Sequence, residues 1–144
     1  VEQFGAVVAN RSLHHVTDLE VGLGKIRTLL EADGVLVLEE FAWDRLDDAT
    51  AGWFFGQRRA LAAAGRAVEG PSSAADWEDE HVGLHGYAAM REALDARFDE
   101  CFFAWTPYLY RLLDGVTSEA LERSLIDADA IRALGFRYAG RGRD

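Results

Sequence analysis

The first forty residues alternate between apolar and polar blocks in a way that predicts a strand, a helix and a second strand. The apolar run Phe4–Ala9 breaks into polar residues through His15, and a second apolar run, Val35–Leu38, ends in Glu39 and Glu40. Two strands joined by one helix form a right-handed crossover, so we expect them to be parallel. Ligands bind beyond the carboxyl ends of such strands, so both polar clusters should face one crevice. Apolar residues recur between them at helical spacing, at Leu19, Leu23, Ile26 and Leu30.

The ends of this first helix also have signals in the sequence. Thr17 and Glu20 have the spacing of a capping box, which predicts that Thr17 precedes the helix. Gly34 suits the left-handed position after a helix, which predicts a tight turn before Val35.

The rest of the chain continues the pattern of helices and strands. Both strand runs are almost continuously apolar, which predicts helices on both faces of the sheet. Gly65–Ala75 is rich in turn residues and is predicted to be a loop. The remaining predicted elements are helices over Asp47–Ala64, Gly86–Phe98 and Ser118–Ala133 and strands over Glu100–Trp105 and Gly135–Ala139.

Composition narrows the class of protein. A chain of 144 residues with 49% hydrophobic residues suits a single domain with its own core. The net charge of −10 argues against a nucleic-acid partner. Cys101 is the single cysteine, which favours a reducing compartment, and no apolar run is long enough to span a bilayer. We therefore expect a cytoplasmic protein with no membrane partner. The first residue is Val1 rather than methionine, which suggests processing or a piece of a longer protein.

Three segments carry a resemblance to a known family. Phe4–Val16 has an aromatic residue, an apolar run and a Leu-His-His turn, with Gly5 where an acidic residue is usual. Leu29–Leu38 and Ala130–Tyr138 have the expected helix-to-strand steps. In this order and spacing the chain resembles the carboxyl-terminal half of class I S-adenosylmethionine-dependent methyltransferases. The resemblance covers nearly the whole chain.

The resemblance implies a fold and a function. The fold is α/β, a partial Rossmann-like sheet over residues 1–144, mostly parallel with a final antiparallel strand, and the four strands take the family's order fourth, fifth, seventh, sixth. The function is methyl transfer from S-adenosylmethionine to a small-molecule acceptor. The family's glycine-rich cofactor loop is absent, because Gly22-Leu23-Gly24 lies in the predicted helix and Gly140-Arg141-Gly142 lies near the end. Activity of this chain alone is therefore in question.

Candidate cofactor residues follow the first strand. The resemblance implies that the backbone of Ala9 and Asn10 approaches the methionyl part of S-adenosylmethionine. Arg11 and Ser12 join them by position, with ordinary turn chemistry as the alternative. His15 is a candidate base for a hydroxyl or amine acceptor, although a packed or capping histidine fits the same pattern.

Candidate acceptor-binding residues are polar or aromatic and are spread over the chain. Glu39 and Glu40 point to opposite faces of a strand, so only one of them can face the crevice, unless both belong to a solvated strand end. The aromatic residues among the candidates either contact a flat or apolar acceptor or simply pack in the core. The full set is His14, Glu40, Trp43, His81, His85, Trp105 and Tyr108.

Two other classes of function stay open. The strand Phe4–Ala9 would be an apolar edge without a charge or proline, so it either pairs with a partner chain or a second copy, or belongs to a longer protein. A non-catalytic interaction module is therefore the main alternative. His81 and His85 are four residues apart and suggest a weaker alternative, a metal-binding protein, although no metal is expected because zinc needs three or four converging protein ligands.

Overall fold

The computed structural model describes residues 2–66, 69–113 and 117–143, and within them it has an α/β fold with a four-stranded mixed sheet. The strands are β1 (Phe4–Asn10), β2 (Leu30–Phe41), β3 (Phe98–Thr106) and β4 (Gly135–Gly142). The helices are α1 (Leu19–Leu29), α2 (Asp48–Ala63), α3 (Ala74–Glu80), α4 (Tyr87–Asp95) and α5 (Glu119–Asp127). Short 3-10 turns cover Leu13–His15, Trp43–Arg45 and Leu109–Leu112.

The order of the strands is β1-β2-β4-β3, which is the order that the resemblance implies. β1 and β2 are parallel, with Val8 opposite Val37 and Asn10 opposite Glu39. β2 and β4 are antiparallel, with Val37 opposite Ala139. The predicted α/β class and the parallel opening pair are therefore confirmed, and the sheet is mixed rather than mostly parallel.

The chain divides into two compact units, and the whole sheet apart from Thr106 belongs to the first. This sheet unit contains residues 2–44, 84–105 and 135–143 of the described chain. Its core lies between one face of the sheet and the helices α1 and α4. The fully buried core side chains include Leu23 of α1, Leu36 and Leu38 of β2, Met90 and Leu94 of α4, and Phe136 and Tyr138 of β4.

The opposite face of the sheet differs from the expectation that helices cover both faces. Val8 is 71% exposed and Phe102 is 53% exposed, and Val37 between them is also exposed. Side chains along β2 point alternately to the two faces of the sheet, so Val37 lies on this exposed face while Leu36 and Leu38 lie on the buried one. The apolar composition of the strands therefore indicates two apolar faces, of which α1 and α4 bury one.

The boundaries of α1 differ from the prediction at both ends. Asp18, not Thr17, is the N-cap, and its carboxylate accepts a hydrogen bond from the Val21 N–H at 3.0 Å. Gly34 lies inside β2 rather than after the helix. A Cβ at Gly34 would stand 3.0 Å from the Phe4 carbonyl oxygen and 3.0 Å from Leu30 Cδ2, so glycine relieves crowding where β1 approaches and does not serve a left-handed turn.

Within the described residues, the second unit contains residues 45–66, 69–83, 106–113 and 117–134, and its regular structure is helical. Phe54 and Phe55 of α2, Trp77 of α3 and Leu109 are buried in it. The short helix α3 overlaps the end of the predicted loop Gly65–Ala75, of which residues 67 and 68 lie outside the described residues. α5 ends at Asp127, before the predicted boundary of Ala133. Among the described residues, no helix combines the length and the apolar character that crossing a membrane requires.

Candidate functional site

The carboxyl ends of β1 and β2 lie side by side, as the crossover predicts. Asn10 is the register partner of Glu39, and the Arg11 N–H donates to the Glu39 carbonyl at 2.7 Å. Arg11 then adopts a φ of 49°, an uncommon value for a residue other than glycine, and the chain turns away from the strand. The two polar clusters of the sequence therefore share one rim of the sheet.

Glu40 connects this rim to the turn that follows β1. Its carboxylate is fully buried and accepts hydrogen bonds from the amides of Ser12 at 2.6 Å and Leu13 at 2.5 Å through Oε1. Oε2 accepts from His14 Nδ1 at 2.6 Å and from the Phe41 amide at 3.0 Å. We call this set of bonds the Glu40 clamp. It fixes the 3-10 turn after β1 against the end of β2.

The clamp sets the ionisation of Glu40 and the tautomer of His14. Burial raises the pKa of Glu40, but hydrogen bonds from His14 and from the amides of Leu13 and Phe41 outweigh burial and hold the pKa below its usual range. A carboxylate only accepts hydrogen bonds, so the proton of neutral His14 lies on Nδ1. His14 Nε2, which has no hydrogen-bond partner among the described residues, is then the acceptor nitrogen of the ring.

Two more predicted residues, His85 and Trp43, belong to the same network in the sheet unit. The His85 N–H donates to the His14 carbonyl at 3.0 Å, and His85 Nε2–H donates to the Val16 carbonyl at 2.8 Å. The Trp43 Nε1–H donates to the His85 carbonyl at 3.2 Å. His14, Glu40, Trp43 and His85, which are far apart in the sequence, are therefore linked by successive hydrogen bonds.

The remaining predicted residues at the rim are more exposed. His15 is exposed, and its ring lies 4.1 Å from the ring of His14. Asn10, Arg11 and Ser12 are also exposed, and Arg11 Nε donates to Asn10 Oδ1 at 3.2 Å. A groove of about 260 Å³ on the exposed sheet face is bordered by Ala9, Asn10 and Glu39. Two of the four predicted cofactor residues thus line an open groove.

Trp105 of β3 belongs to an aromatic cluster at the opposite edge of the sheet from β1. Its ring lies 4.8 Å from Tyr87, 5.0 Å from Phe103 and 6.1 Å from Phe136. The guanidinium of Arg91 lies 5.6 Å from the centre of the Phe103 ring, in cation–π geometry. Trp105 is half-buried, so its neighbours explain much of its position as packing.

His81 and Tyr108 lie in the helical unit. His81 Nδ1–H donates to the Trp77 carbonyl at 2.5 Å, and the two rings are 4.6 Å apart. The Tyr108 N–H donates to Glu122 at 2.8 Å. His81 and His85 each have a ring nitrogen bonded to a carbonyl, and the described residues contain no group of three histidine, cysteine, aspartate or glutamate side chains able to hold a metal.

Sequence reasoning missed a second buried carboxylate. Glu122 of α5 is fully buried and accepts from the amides of Tyr108 at 2.8 Å, Leu109 at 3.0 Å and Tyr110 at 2.7 Å. We call this set the Glu122 clamp. Strand alternation pointed to one inward member of the Glu39–Glu40 pair, whereas Glu122 has no comparable signal because the turn it binds is twelve or more residues away.

Comparisons with known proteins support the fold. No protein-family model matches the chain, and no curated protein matches it. It is similar to the crystal structure of the plantazolicin methyltransferase BamL in complex with a triazolic desmethylPZN analog and SAH, with a TM-score of 0.50 and 10% identity, over 99% of this chain and 55% of that chain. It also matches the plantazolicin methyltransferase BpumL with a pentazolic desmethylPZN analog and SAH, with a TM-score of 0.47 and 6% identity, over 100% of this chain and 54% of that chain.

At 10% identity the likeness to BamL is a likeness of fold. The chain spans about half the length of these solved structures, 55% for BamL. Function must therefore be argued from the residues of the rim.

Proposed function

We propose that the chain takes part in methyl transfer from S-adenosylmethionine to a small-molecule acceptor. The observation that carries this proposal is the Glu40 clamp, which joins the carboxyl ends of two parallel strands where α/β sheets bind ligands. The fold of the sheet, shared with a methyltransferase crystallised with SAH, supports the same function.

The residues after β1 fit the amino-acid part of the cofactor. Ala9 and Asn10 border the open groove, and the polar residues Asn10 and Ser12 are exposed. We assign Ala9, Asn10, Arg11 and Ser12 to cofactor binding, with amide and hydroxyl groups for an ammonium or carboxylate. When bound, S-adenosylmethionine supplies an activated methyl group on a sulfonium sulfur.

The Glu40 clamp also orients His14 as a candidate base. With Nδ1–H donated to Glu40, His14 Nε2 is the acceptor, the same division of roles that orients a histidine beside a carboxylate in acyl-transfer enzymes. In this proposal His14 takes the proton that an acceptor hydroxyl or amine loses on methylation. His15, the base expected from sequence, has no fixed orientation from a carboxylate and remains the alternative because its ring is adjacent and exposed.

The other candidate acceptor residues are assigned by their place in the network. His85 and Trp43 support the turn of His14 through hydrogen bonds, and Trp105 adds an aromatic wall in the sheet unit. His81 and Tyr108 belong to the helical unit, and we keep them as candidates for acceptor contact. Because BamL contains nearly as much chain again, we propose that full activity requires further polypeptide, which would supply the glycine-rich loop.

Isothermal titration with SAH tests the proposal. We expect saturable heat from the folded chain, and Asn10→Ala should weaken binding by about tenfold. Lys25→Ala on the exposed side of α1 is the matched control and should bind as the parent does. A folded chain that gives no heat, or an Asn10→Ala variant that binds as tightly as the control, would remove the cofactor site from this rim.

A second function, a non-catalytic interaction module, is favoured by a separate observation. β1 lies at the end of the strand order and exposes apolar side chains. If SAH does not bind, this edge becomes the main functional feature of the chain.

A further inference from the structure

The exposed face of the sheet has an apolar row that crosses its strands. Residues two apart along a strand share a face, and so do register partners on neighbouring strands. The rows on this face of β1, β2 and β4 are Ala6, Val35 and Arg141; Val8, Val37 and Ala139; and Asn10, Glu39 and Arg137. The middle row is entirely apolar, and Phe102 of β3 lines the same groove of about 260 Å³. An exposed apolar patch of this kind indicates a surface that another element covers.

The geometry of the face indicates which kind of element fits. β2 and β4 are interior strands whose backbone groups bond to their neighbours, so the face offers side chains alone. A segment that covers it must satisfy its own backbone groups, as a helix does. α1 and α4 already cover the opposite face in this way. The 8 residues of β4, at about 3.3 Å each, match the length of a helix of about 18 residues.

Charge beside the apolar row selects the chemistry of the occupant. Glu39 is the single acidic residue in the three rows, and it already pairs with Arg137 at 3.1 Å. Arg141 is exposed and has no acidic partner among the described residues. A second copy packed face to face would present the same rows, in which the acid is already paired. An occupant that adds an acidic residue of its own would instead complement Arg141.

We propose that an amphipathic α-helix with an acidic residue at the border of its apolar face packs on this face of the sheet. Its apolar side chains cover Val8, Val37 and Phe102, and its acidic side chain pairs with Arg141. The helix is assigned to the further polypeptide that full activity requires, an assignment that rests on the proposed function. The docking surface itself does not include the Glu40 clamp.

Fluorescence anisotropy with a labelled synthetic peptide tests the docking surface on the chain itself. The probe is a helical peptide of about 18 residues with leucine on one face, glutamine on the other and one glutamate at the border. We expect saturable binding to the parent chain. Val8→Lys and Phe102→Lys each place a charge beside the groove and should weaken binding by about tenfold or more. Val21→Lys is the matched control, because Val21 is 68% exposed on α1, and it should bind as the parent does.

A charge exchange tests the pairing with Arg141. Arg141→Glu should weaken binding of the glutamate peptide by about threefold to fivefold. A second peptide, with lysine in place of the glutamate, should bind Arg141→Glu more tightly than it binds the parent. Circular dichroism confirms that each variant is folded. Lack of any preference of Arg141→Glu between the two peptides would overturn the acidic pairing.

Two other results overturn the docking surface. One is a folded parent chain that does not bind the glutamate peptide, or binds it without sensitivity to Val8→Lys and Phe102→Lys. The other is a dimer in sedimentation velocity that both substitutions dissociate, because a second copy would then occupy the face. SAH is absent from these measurements, so a failed SAH titration removes the proposed function and leaves their outcome unchanged.

Discussion

Two buried glutamates, one in each compact unit, hold a 3-10 turn by accepting hydrogen bonds from its backbone. Glu122 binds three successive amides, from Tyr108 to Tyr110, and no side chain among the described residues. Glu40 binds backbone amides too, but its second oxygen also accepts from the ring of His14. Both satisfy amides that would otherwise be buried without partners.

The difference between the two clamps distinguishes a purely structural role of a buried carboxylate from one that also involves a histidine ring. The Glu122 clamp is complete with backbone donors alone, so it explains a buried carboxylate without any catalytic role. The Glu40 clamp adds the ring of His14, whose second nitrogen has no hydrogen-bond partner among the described residues. Glu122 is thus an internal control for the structural part of the role of Glu40.

The largest expected effect comes from removing either carboxylate. Glu40→Ala and Glu122→Ala should each lower the free energy of unfolding by about 3–5 kcal/mol, because each leaves several buried donors unsatisfied. Urea denaturation followed by circular dichroism measures the change. A loss under about 1 kcal/mol for either variant would mean that its turn is held by other contacts.

The two neighbouring histidines should contribute differently to the stability of the fold. His14→Ala removes a buried ring and one donor to Glu40, so we expect a loss of about 2 kcal/mol in the free energy of unfolding. His15→Ala changes an exposed ring and should stay within about 0.5 kcal/mol. Thermal denaturation of the two variants provides the comparison, and equal losses would contradict the distinct role of His14.

Acid should weaken the Glu40 clamp. The pKa of Glu40 is lower in the folded chain than its usual value, so the unfolded chain binds the proton more tightly and the stabilisation exists at higher pH. It is lost as the pH falls from about 4.3 towards the lower folded pKa. Unfolding free energies across this range should fall more steeply in the parent than in Glu40→Gln. Parallel curves would exclude Glu40 as a source of the acid sensitivity.

The smallest effect concerns a buried group outside both clamps. The Tyr138 hydroxyl is buried and has no hydrogen-bond partner among the described residues, and burial raises its pKa to about 12. Tyr138→Phe should therefore be neutral or stabilise the chain by up to about 1 kcal/mol. The parent should also lose stability as the pH rises through the range from about 10 to the folded pKa of about 12, and the variant should lose less. Destabilisation by Tyr138→Phe, measured with urea, would show that the hydroxyl has a partner.

The parts of the fold that sequence predicted rest on local patterns. The apolar runs and the helical stripe between them define the parallel pair β1–β2, and their polar ends define the rim at Asn10 and Glu39. The start of β2 was misplaced because Gly34 has the composition of a helix stop, whereas its actual constraint is the approach of Phe4 from another strand. Composition cannot distinguish these two reasons for a glycine.

The site was predictable in position and less so in detail. The pattern placed His14, His15 and Glu40 at one crevice, but the choice of His14 as the histidine bound to Glu40 depends on the 3-10 turn. The Glu122 clamp joins residues twelve or more positions apart without any periodic signal. The exposure of Val8 was likewise not predictable, because a strand has the same apolar sequence pattern whether or not a helix covers that face of the sheet.

The central claim is that the rim held by Glu40 binds S-adenosylmethionine. A titration of the isotopically labelled chain with SAH, followed by amide NMR, tests it most directly. The account predicts saturable shifts at Asn10, Arg11 and Ser12, with the amides of Tyr108 to Tyr110 at the Glu122 clamp as an internal reference that changes less. Saturable shifts confined to other parts of the chain, or none with the fold intact, would contradict it.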